Sequence, residues 1–185
     1  MKSSPSVDRI VWVDLEMTGL DVDKDKIIEI ACIITDKSYN ILEESEAIVI
    51  KQSKEVMDNM GPWCTKQHGL SGLTEKVLNS ATGLAEAESH ILKLIKKHCT
   101  EKMCSLAGNS IHMDRAFLAK YMPTLCDYLH YRLYDVSTIK LLCLDHFKAI
   151  AEGVPPKKET HRALDDIKES IEEMKYYVNR FKMTT

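Results

Sequence analysis

The stretch VDLEMTGL at residues 13–20 decides the fold, because it ends an apolar run with two carboxylates, Asp14 and Glu16. Residues i and i+2 of a β-strand project to the same face of a sheet, so these two side chains should point together. Carboxylates in an apolar strand repel each other and lose hydration, and a divalent cation such as Mg²⁺ or Mn²⁺ would compensate both effects. The alternative is an edge strand with two solvated acids, which is the commoner structure for an isolated Asp-x-Glu.

Length and composition limit the class of protein. The chain has 185 residues, of which 44% are hydrophobic and 29% are charged. These values predict a single globular domain over residues 8–182, with flexible termini at 1–7 and 183–185. The formal net charge of −3 gives no general attraction for long nucleic acid, so a polyanionic substrate would have to be held locally.

The sequence also predicts a compartment. No run is long and apolar enough to span a membrane, and residues 1–9 lack the patterns of a secretory signal or a transit peptide. We therefore expect an intracellular protein with no membrane partner. The cytoplasm is the expected location, or mitochondria or the nucleus if a targeting segment is missing from this chain. The six scattered cysteines form no Cys-x-x-Cys pair, which predicts reduced, buried thiols rather than disulfides or a zinc site.

Residue periodicity predicts the architecture. Three β-rich runs come first and helices then alternate with short strands, which favours an α/β fold with a mixed central β-sheet flanked by helices. Asn109 or Ser110 is expected to cap the helix through 114–121. The predicted strands are residues 10–16, 27–35, 48–51 and 103–107, and the predicted helices are residues 84–97, 114–121, 135–142 and a long closing helix after residue 163.

Further acidic groups lie in the second half of the chain. His161 and Asp166 are five residues apart, about 140° around a helix, so His161 is expected just before the closing helix and Asp166 on a face with small residues. Asp114 lies on a predicted helix with an apolar side, where it either faces the same pocket or is solvated. Taken singly, His161 could be a capping or surface histidine, and Asp166 could be a favourable acid in a first helical turn.

The order of these residues resembles the DEDDh group of 3′→5′ exonucleases and, within it, the oligoribonuclease family. The resemblance covers nearly the whole chain. It departs at residues 144–147, Leu-Asp-His-Phe, where an Arg-Arg-Trp-Tyr-like stretch is expected. Five motifs carry it: WVDLEMTGL at 12–20, WCTKQHGLSGLT at 63–74, LAGNSIHMDRAFL at 106–118, HYRLYDVSTIK at 130–140 and HRALDDIKESI at 161–171.

This resemblance implies a ribonuclease H-like exonuclease fold and a 3′→5′ exoribonuclease. Such an enzyme hydrolyses very short RNA oligonucleotides, dinucleotides included, to 5′-mononucleotides by a two-metal-ion mechanism. The implied cofactors are two Mg²⁺ or Mn²⁺ ions per site. His161 is implied to be the general base that takes a proton from the attacking water. The implied metal ligands, which also count as catalytic residues, are Asp14, Glu16, Asp114 and Asp166.

The resemblance also implies how a short RNA is held. Leu20 would wedge between the last bases, and Trp63 and His68 would line the base pocket. Alternatively, Leu20 is a core residue and Trp63 a packing residue. The implied 5′-phosphate contacts are Ser110, Ser137 and Arg132.

The same family implies a homodimer in which Tyr131 and Arg132 of one subunit complete the site of its partner. The alternatives are that Ser110 and Ser137 are simple helix caps and that Tyr131 and Arg132 flank a strand of their own subunit.

Two other functions compete with this one. A related exonuclease could trim longer RNA or proofread DNA, although the acidic net charge and the lack of an appended basic module argue against it. A catalytically silent nucleic-acid-binding or scaffold protein would be expected to have lost at least one of the five key residues, and all five are present.

Overall fold

The computed structural model describes residues 5–156 and 162–183 of the chain. Within these residues, no helix has both the length and the apolar character that crossing a membrane requires. The strands are β1 (Arg9–Met17), β2 (Ile27–Asp36), β3 (Ile41–Glu44), β4 (Ile48–Val49), β5 (Ser105–Gly108) and β6 (His130–Asp135). The helices are α1 (Lys54–Asp58), α2 (Pro62–Leu70), α3 (Leu73–Asn79), α4 (Leu84–His98), α5 (His112–Tyr121), α6 (Pro123–Tyr128), α7 (Val136–His146), α8 (Lys148–Ala151) and α9 (Ala163–Met183).

The described strands form one mixed sheet in the order β3-β2-β1-β5-β6, and β4 also pairs with β2. Strand β1 runs antiparallel to β2 and parallel to β5, and β5 runs parallel to β6. The predicted mixed central sheet flanked by helices is therefore confirmed. Strand β1 lies in the middle of this order, and β6 forms an edge.

The two faces of β1 are covered by different helices. Val11, Val13 and Leu15 pack against α4, α5 and α6, whereas Ile10 and Trp12 pack against α7 and α9. Because alternate residues of a strand face opposite ways, Asp14 and Glu16 continue the series that faces α9. The apolar burial of both faces thus fixes the direction in which the two carboxylates point.

Several predicted elements are confirmed. The predicted long closing helix is present as α9, which packs an apolar side against the sheet, and α4 matches the predicted helix at 84–97. Within the described residues every cysteine is a free thiol, and all but the half-buried Cys64 are buried, as expected.

Other elements differ from the sequence-based expectation. Helices α1, α2 and α3 were not predicted, because they are short and bury few side chains: α1 buries only Met57 and α2 only His68. Such helices carry no apolar stripe for a periodicity argument to detect. The predicted strand at 48–51 is limited to Ile48–Val49. Residues 130–135, for which the sequence pattern predicted no element, form the edge strand β6.

Candidate active site

Three carboxylates meet where the end of β1 faces the first turn of α9. One oxygen from each of Asp14, Glu16 and Asp166 lies within 4.8 Å of the other two. The residue opposite Asp14 on β2 is the small Ala31. On α9, the small Ala163 precedes Asp166 by one turn of the helix and is fully buried. The structure therefore brings together three of the four acids predicted from the sequence, from segments about 150 residues apart in the chain.

The fourth predicted acid, Asp114, reaches the same strand from α5. Its Oδ1 accepts a hydrogen bond of 2.9 Å from the backbone N–H of Leu15, the residue between the two acids of β1. Strand β5 pairs with β1 only as far as Trp12, so the Asp114 carboxylate satisfies a backbone donor that no neighbouring strand reaches. Asp114 is buried and is not one of the three clustered acids.

Gly108 lets the chain turn from β5 towards α5 against this strand. A Cβ atom at Gly108 would lie 3.0 Å from the Val13 carbonyl oxygen, which is an unusually tight contact, and 2.9 Å from the side-chain end of Ile111, so that a neighbour would have to shift. The absence of a side chain at this position therefore permits the close packing that delivers Asp114 to β1.

The electrostatics of the cluster disfavour four bare negative charges. Burial, followed by the charge of Asp114, raises the pKa of Asp14 well above its ordinary value. Burial raises the pKa of Glu16 to about 8, with Asp166 contributing next, and raises the pKa of Asp114 to about 7. These carboxyl groups have raised pKa values because burial disfavours their ionised form. A hard divalent cation such as Mg²⁺ or Mn²⁺ fits the site, since it binds oxygen ligands and stabilises the ionised form of each carboxyl group.

A buried ion pair that the sequence analysis missed fixes the start of α9. Glu29 on β2 is fully buried and lies opposite Glu16 in the strand register. Its carboxylate accepts hydrogen bonds from Arg162 and from the backbone N–H of Ala163, the first residue of α9. One feature of the sequence could have predicted this pair: Glu29 is an acid within an otherwise apolar strand, and a buried acid requires a partner.

His68 lies beside the cluster. It is buried on α2, its Nε2–H donates to the Met17 carbonyl at 2.9 Å, and its Nδ1 is 3.9 Å from Glu16 Oε2. Leu20 and Trp63 are 67% and 62% exposed, so the alternatives that place them in the core do not apply. The structure thus leaves two large apolar side chains open to solvent and places His68 next to a clustered acid.

Ser110 and Ser137 contact each other. The N–H of Ser110 donates to Ser137 Oγ at 2.9 Å and to Asp135 Oδ1 at 3.0 Å. The prediction that Asn109 or Ser110 caps α5 is wrong, because α5 begins at His112 and Ile111, which precedes it, makes no side-chain cap. The residue that caps α7 is Asp135, whose side chain accepts from the N–H of Ser137.

Tyr131 and Arg132 lie on the edge strand β6, which β5 separates from β1. Tyr131 is 69% exposed and stacks on the His130 ring, and Arg132 is also exposed. Both residues therefore belong to an edge strand of their own chain. His161, the predicted general base, lies outside the described residues.

Comparisons with known proteins show the family of the chain. The family model RNase_T, described as Exonuclease, matches residues 11–174. The chain is 51% identical over 178 residues to the mitochondrial oligoribonuclease of Bos taurus, covering 96% of this chain and 75% of the bovine protein. It is 52% identical to the oligoribonuclease of Francisella tularensis subsp. novicida (strain U112), covering 93% of this chain and 95% of that protein.

Solved structures share the fold at low sequence identity. The zinc-bound complex of Escherichia coli exonuclease I with single-stranded DNA has a TM-score of 0.70 at 14% identity, covering 96% of this chain and 41% of that chain. Exonuclease I from Methylocaldum szegediense has a TM-score of 0.69 at 18% identity, covering 93% and 40%. The chain spans about two-fifths of the length of these structures. The predicted ribonuclease H-like exonuclease fold is confirmed.

Proposed function

The chain belongs to the oligoribonuclease family of exonucleases, and on that premise we propose that it is a 3′→5′ exoribonuclease of very short RNA. Its substrates would include dinucleotides and its products would be 5′-mononucleotides. The observation that carries the proposal is the meeting of Asp14, Glu16 and Asp166, with Asp114 bonded to the strand between the first two. A silent binding protein would have no use for this costly group of three half-buried acids and one buried acid.

The proposed cofactors are two Mg²⁺ or Mn²⁺ ions held by Asp14, Glu16, Asp114 and Asp166. When bound, such ions stabilise the attacking and leaving oxygens of an in-line displacement at phosphorus. We assign His161 as the general base that removes a proton from the attacking water. Its neighbour Arg162 is held by Glu29, so the chain is tied to the site immediately after His161.

Hydrogen bonds within the chain hold the acids of the site and their strand in place. The Leu15 N–H holds the Asp114 carboxylate in one orientation. His68 fixes the end of β1 through the Met17 carbonyl. These contacts preorganise the site before substrate binds, which is how enzymes avoid reorganisation during the reaction.

We assign the exposed Leu20 and Trp63 to the bases of the substrate. Leu20 follows shortly after the acidic strand and would wedge between the two bases, and Trp63 would stack on one of them, an interaction worth roughly 1–3 kcal/mol per base. The Ser110 and Ser137 hydroxyls, with Arg132, would bind the 5′-phosphate. Few binding groups and a net charge of −3 suit a short end rather than a long strand.

We further propose a homodimer in which Tyr131 and Arg132 of each subunit complete the site of the other. Edge strands readily pair with another chain, and β6 is an edge that exposes Tyr131. Helix α7, which follows β6, exposes apolar side chains, and only the last two of them lie within residues 144–147, where the family has a different stretch. These are Leu141, Leu142, Leu144 and, just after the helix, Phe147. Such a surface favours burial against a second copy.

The proposed location is inside the cell. The bovine relative is named mitochondrial and the Francisella relative is a bacterial oligoribonuclease, so mitochondria or the cytoplasm are the compartments that the relatives support.

A length series tests the proposed function. RNAs labelled at the 5′ end, from a dinucleotide to strands several times longer, are incubated with the enzyme and Mn²⁺, and the products are resolved. We expect the labelled strand to shorten from its 3′ end by one nucleotide at a time, down to a labelled mononucleotide, at a rate that falls steeply with the length of the substrate. Matched DNA strands test the competing proofreading function. Equal or faster hydrolysis of long RNA or of DNA would contradict the assignment.

A further inference from the structure

A chain of hydrogen bonds joins the Ser110–Ser137 pair to the backbone of α9 at Asp166. The Ser137 hydroxyl donates to Asn109 Oδ1 at 3.3 Å, and Asn109 Nδ2 donates to Ser170 Oγ at 2.6 Å. The Ser170 hydroxyl in turn donates to the backbone carbonyl of Asp166 at 2.8 Å. The side chain of Asn109 therefore links the hydroxyl pair to Ser170, one turn along α9 from Asp166.

The donors and acceptors of this chain of hydrogen bonds are fixed along its length. Each serine hydroxyl has one proton, and the amide of Asn109 both accepts and donates. The Ser137 hydroxyl donates its hydrogen bond to Asn109. The Ser137 oxygen is then free to accept from the N–H and from the hydroxyl of Ser110, at 2.9 and 3.1 Å. Ser110 remains exposed, and its hydroxyl proton is the one that can be redirected to an anion in solvent.

The backbone around Ser110 is held in an unusual conformation. Its φ of 50° lies in the left-handed region, which a residue with a Cβ adopts at a cost unless its surroundings impose it. Here the N–H of Ser110 is held by the side chains of Asp135 and Ser137. The position of the Ser110 hydroxyl is thus imposed by the tertiary structure and is fixed relative to α9 through Asn109 and Ser170.

We propose that Asn109 is a positioning residue that fixes the distance between the 5′-phosphate anchor, Ser110 with Ser137, and the metal ligand Asp166. This inference rests on the proposed function and deepens it. A dinucleotide anchored at its 5′-phosphate places its one phosphodiester at a set distance from that anchor. A fixed anchor therefore aligns this bond with the acid cluster, and Asn109 makes fast turnover depend on a 5′-phosphate.

The test compares 5′-phosphorylated with 5′-hydroxyl dinucleotides in steady-state kinetics. In Asn109→Ala we expect kcat for the phosphorylated dinucleotide to fall about five- to tenfold, the factor associated with one lost hydrogen bond. The KM for that substrate and the rate on the 5′-hydroxyl dinucleotide should change less than twofold. Ser137→Ala, in the anchor itself, should instead raise KM for the phosphorylated substrate.

Two further variants separate positioning from a merely structural role. Ser170→Ala removes the hydrogen bond between Asn109 and α9 and should lower kcat as Asn109→Ala does. Ser170→Thr retains a hydroxyl group and should keep kcat near the parent value. Asn40→Ala is a matched control, because Asn40 also donates its amide to a side chain, that of Asp36, but in an exposed turn. It should leave the preference for a 5′-phosphate unchanged. Ser170→Ala also serves if Asn109→Ala fails to fold.

The outcomes distinguish this inference from the function on which it rests. If the parent enzyme prefers the 5′-phosphorylated dinucleotide and both Asn109→Ala and Ser170→Ala keep that preference, the positioning role is overturned and the proposed function stands. If the parent enzyme shows no such preference, the 5′-phosphate anchor itself is wrong and the role of Asn109 is overturned with it.

Discussion

The buried carboxylate of Glu29 accepts two hydrogen bonds from the guanidinium of Arg162, at 2.9 and 3.2 Å. Glu29 lies opposite Glu16 in the strand register, so without a partner it would add another negative charge beside the cluster. Arg162 compensates it, and the bond from the Ala163 N–H to the same carboxylate caps the entry to α9. The pair thus holds the helix that carries Asp166.

Replacing Glu29 by Gln should destabilise the protein strongly. Breaking a buried ion pair leaves a poorly compensated partner and typically costs about 3–5 kcal/mol. Chemical denaturation measures the free energy of unfolding. Lys168→Ala is the matched control, since the Lys168–Glu44 pair also ties α9 to the sheet but is exposed, and an exposed pair contributes at most about 1 kcal/mol. Equal losses in the two variants would show that the Glu29–Arg162 pair has no special structural role.

Asp14→Asn and Asp114→Asn should each lower turnover by about 10²–10³-fold or more while the protein stays folded, because each removes a charged ligand. In Asp114→Asn the amide oxygen of the new side chain can still accept from the Leu15 N–H, so thermal stability should be retained in that variant. Asp165→Asn, next to Asp166 but exposed, is the control and should stay active. Full activity in either ligand variant, or in excess chelator, would exclude the metal mechanism.

The metal-free protein should lose stability as the pH rises. The pKa of Glu16 is raised to about 8 in the folded chain from an ordinary value of 4.5, so the folded state binds more protons between these values. Its stabilising contribution is complete below about pH 4.5 and is lost as the pH approaches 8. Melting temperatures in chelator should fall across this range, and Mn²⁺ should raise them most at the alkaline end. A pH-independent melting temperature that Mn²⁺ leaves unchanged would contradict the assignment.

His161→Ala should lower the rate of hydrolysis about 10²–10⁴-fold, which is the usual contribution of a general base. Binding of Mn²⁺, measured by calorimetry, should survive, because His161 is assigned no ligand role. His112→Ala is a suitable control, as His112 is an exposed histidine near Asp135. A His161 variant within twofold of the parent rate would remove this residue from the mechanism.

Mixing two inactive variants tests the shared site. Asp114→Ala and Tyr131→Ala protomers should each be nearly inactive alone. Heterodimers should regain one working site, with intact acids on one chain and Tyr131 from the other. Subunit exchange is verified by mass spectrometry of differently tagged chains. Exchange without recovery of activity, or a fully active monomer at micromolar concentration, would exclude a site completed by the partner.

The sequence by itself determined the elements that have a strong local pattern. Asp14 and Glu16 follow an apolar run, so the strand, its buried character and the common direction of the two acids could be predicted from period-two geometry. Residue periodicity likewise predicted the long closing helix that carries Asp166. Ordered motifs over nearly the whole chain predicted the family, which the comparisons confirm.

Only the tertiary structure decided how these elements are joined. Asp114 bonds to Leu15 across 99 residues, Glu29 pairs with Arg162 across 133, and Asn109 reaches Ser170 across 61. No local period encodes such contacts, because they depend on which segments the folded core brings together. The left-handed turn at Ser110 was missed for the same reason: bonds from its N–H to the side chains of Asp135 and Ser137 override its local preference to cap a helix.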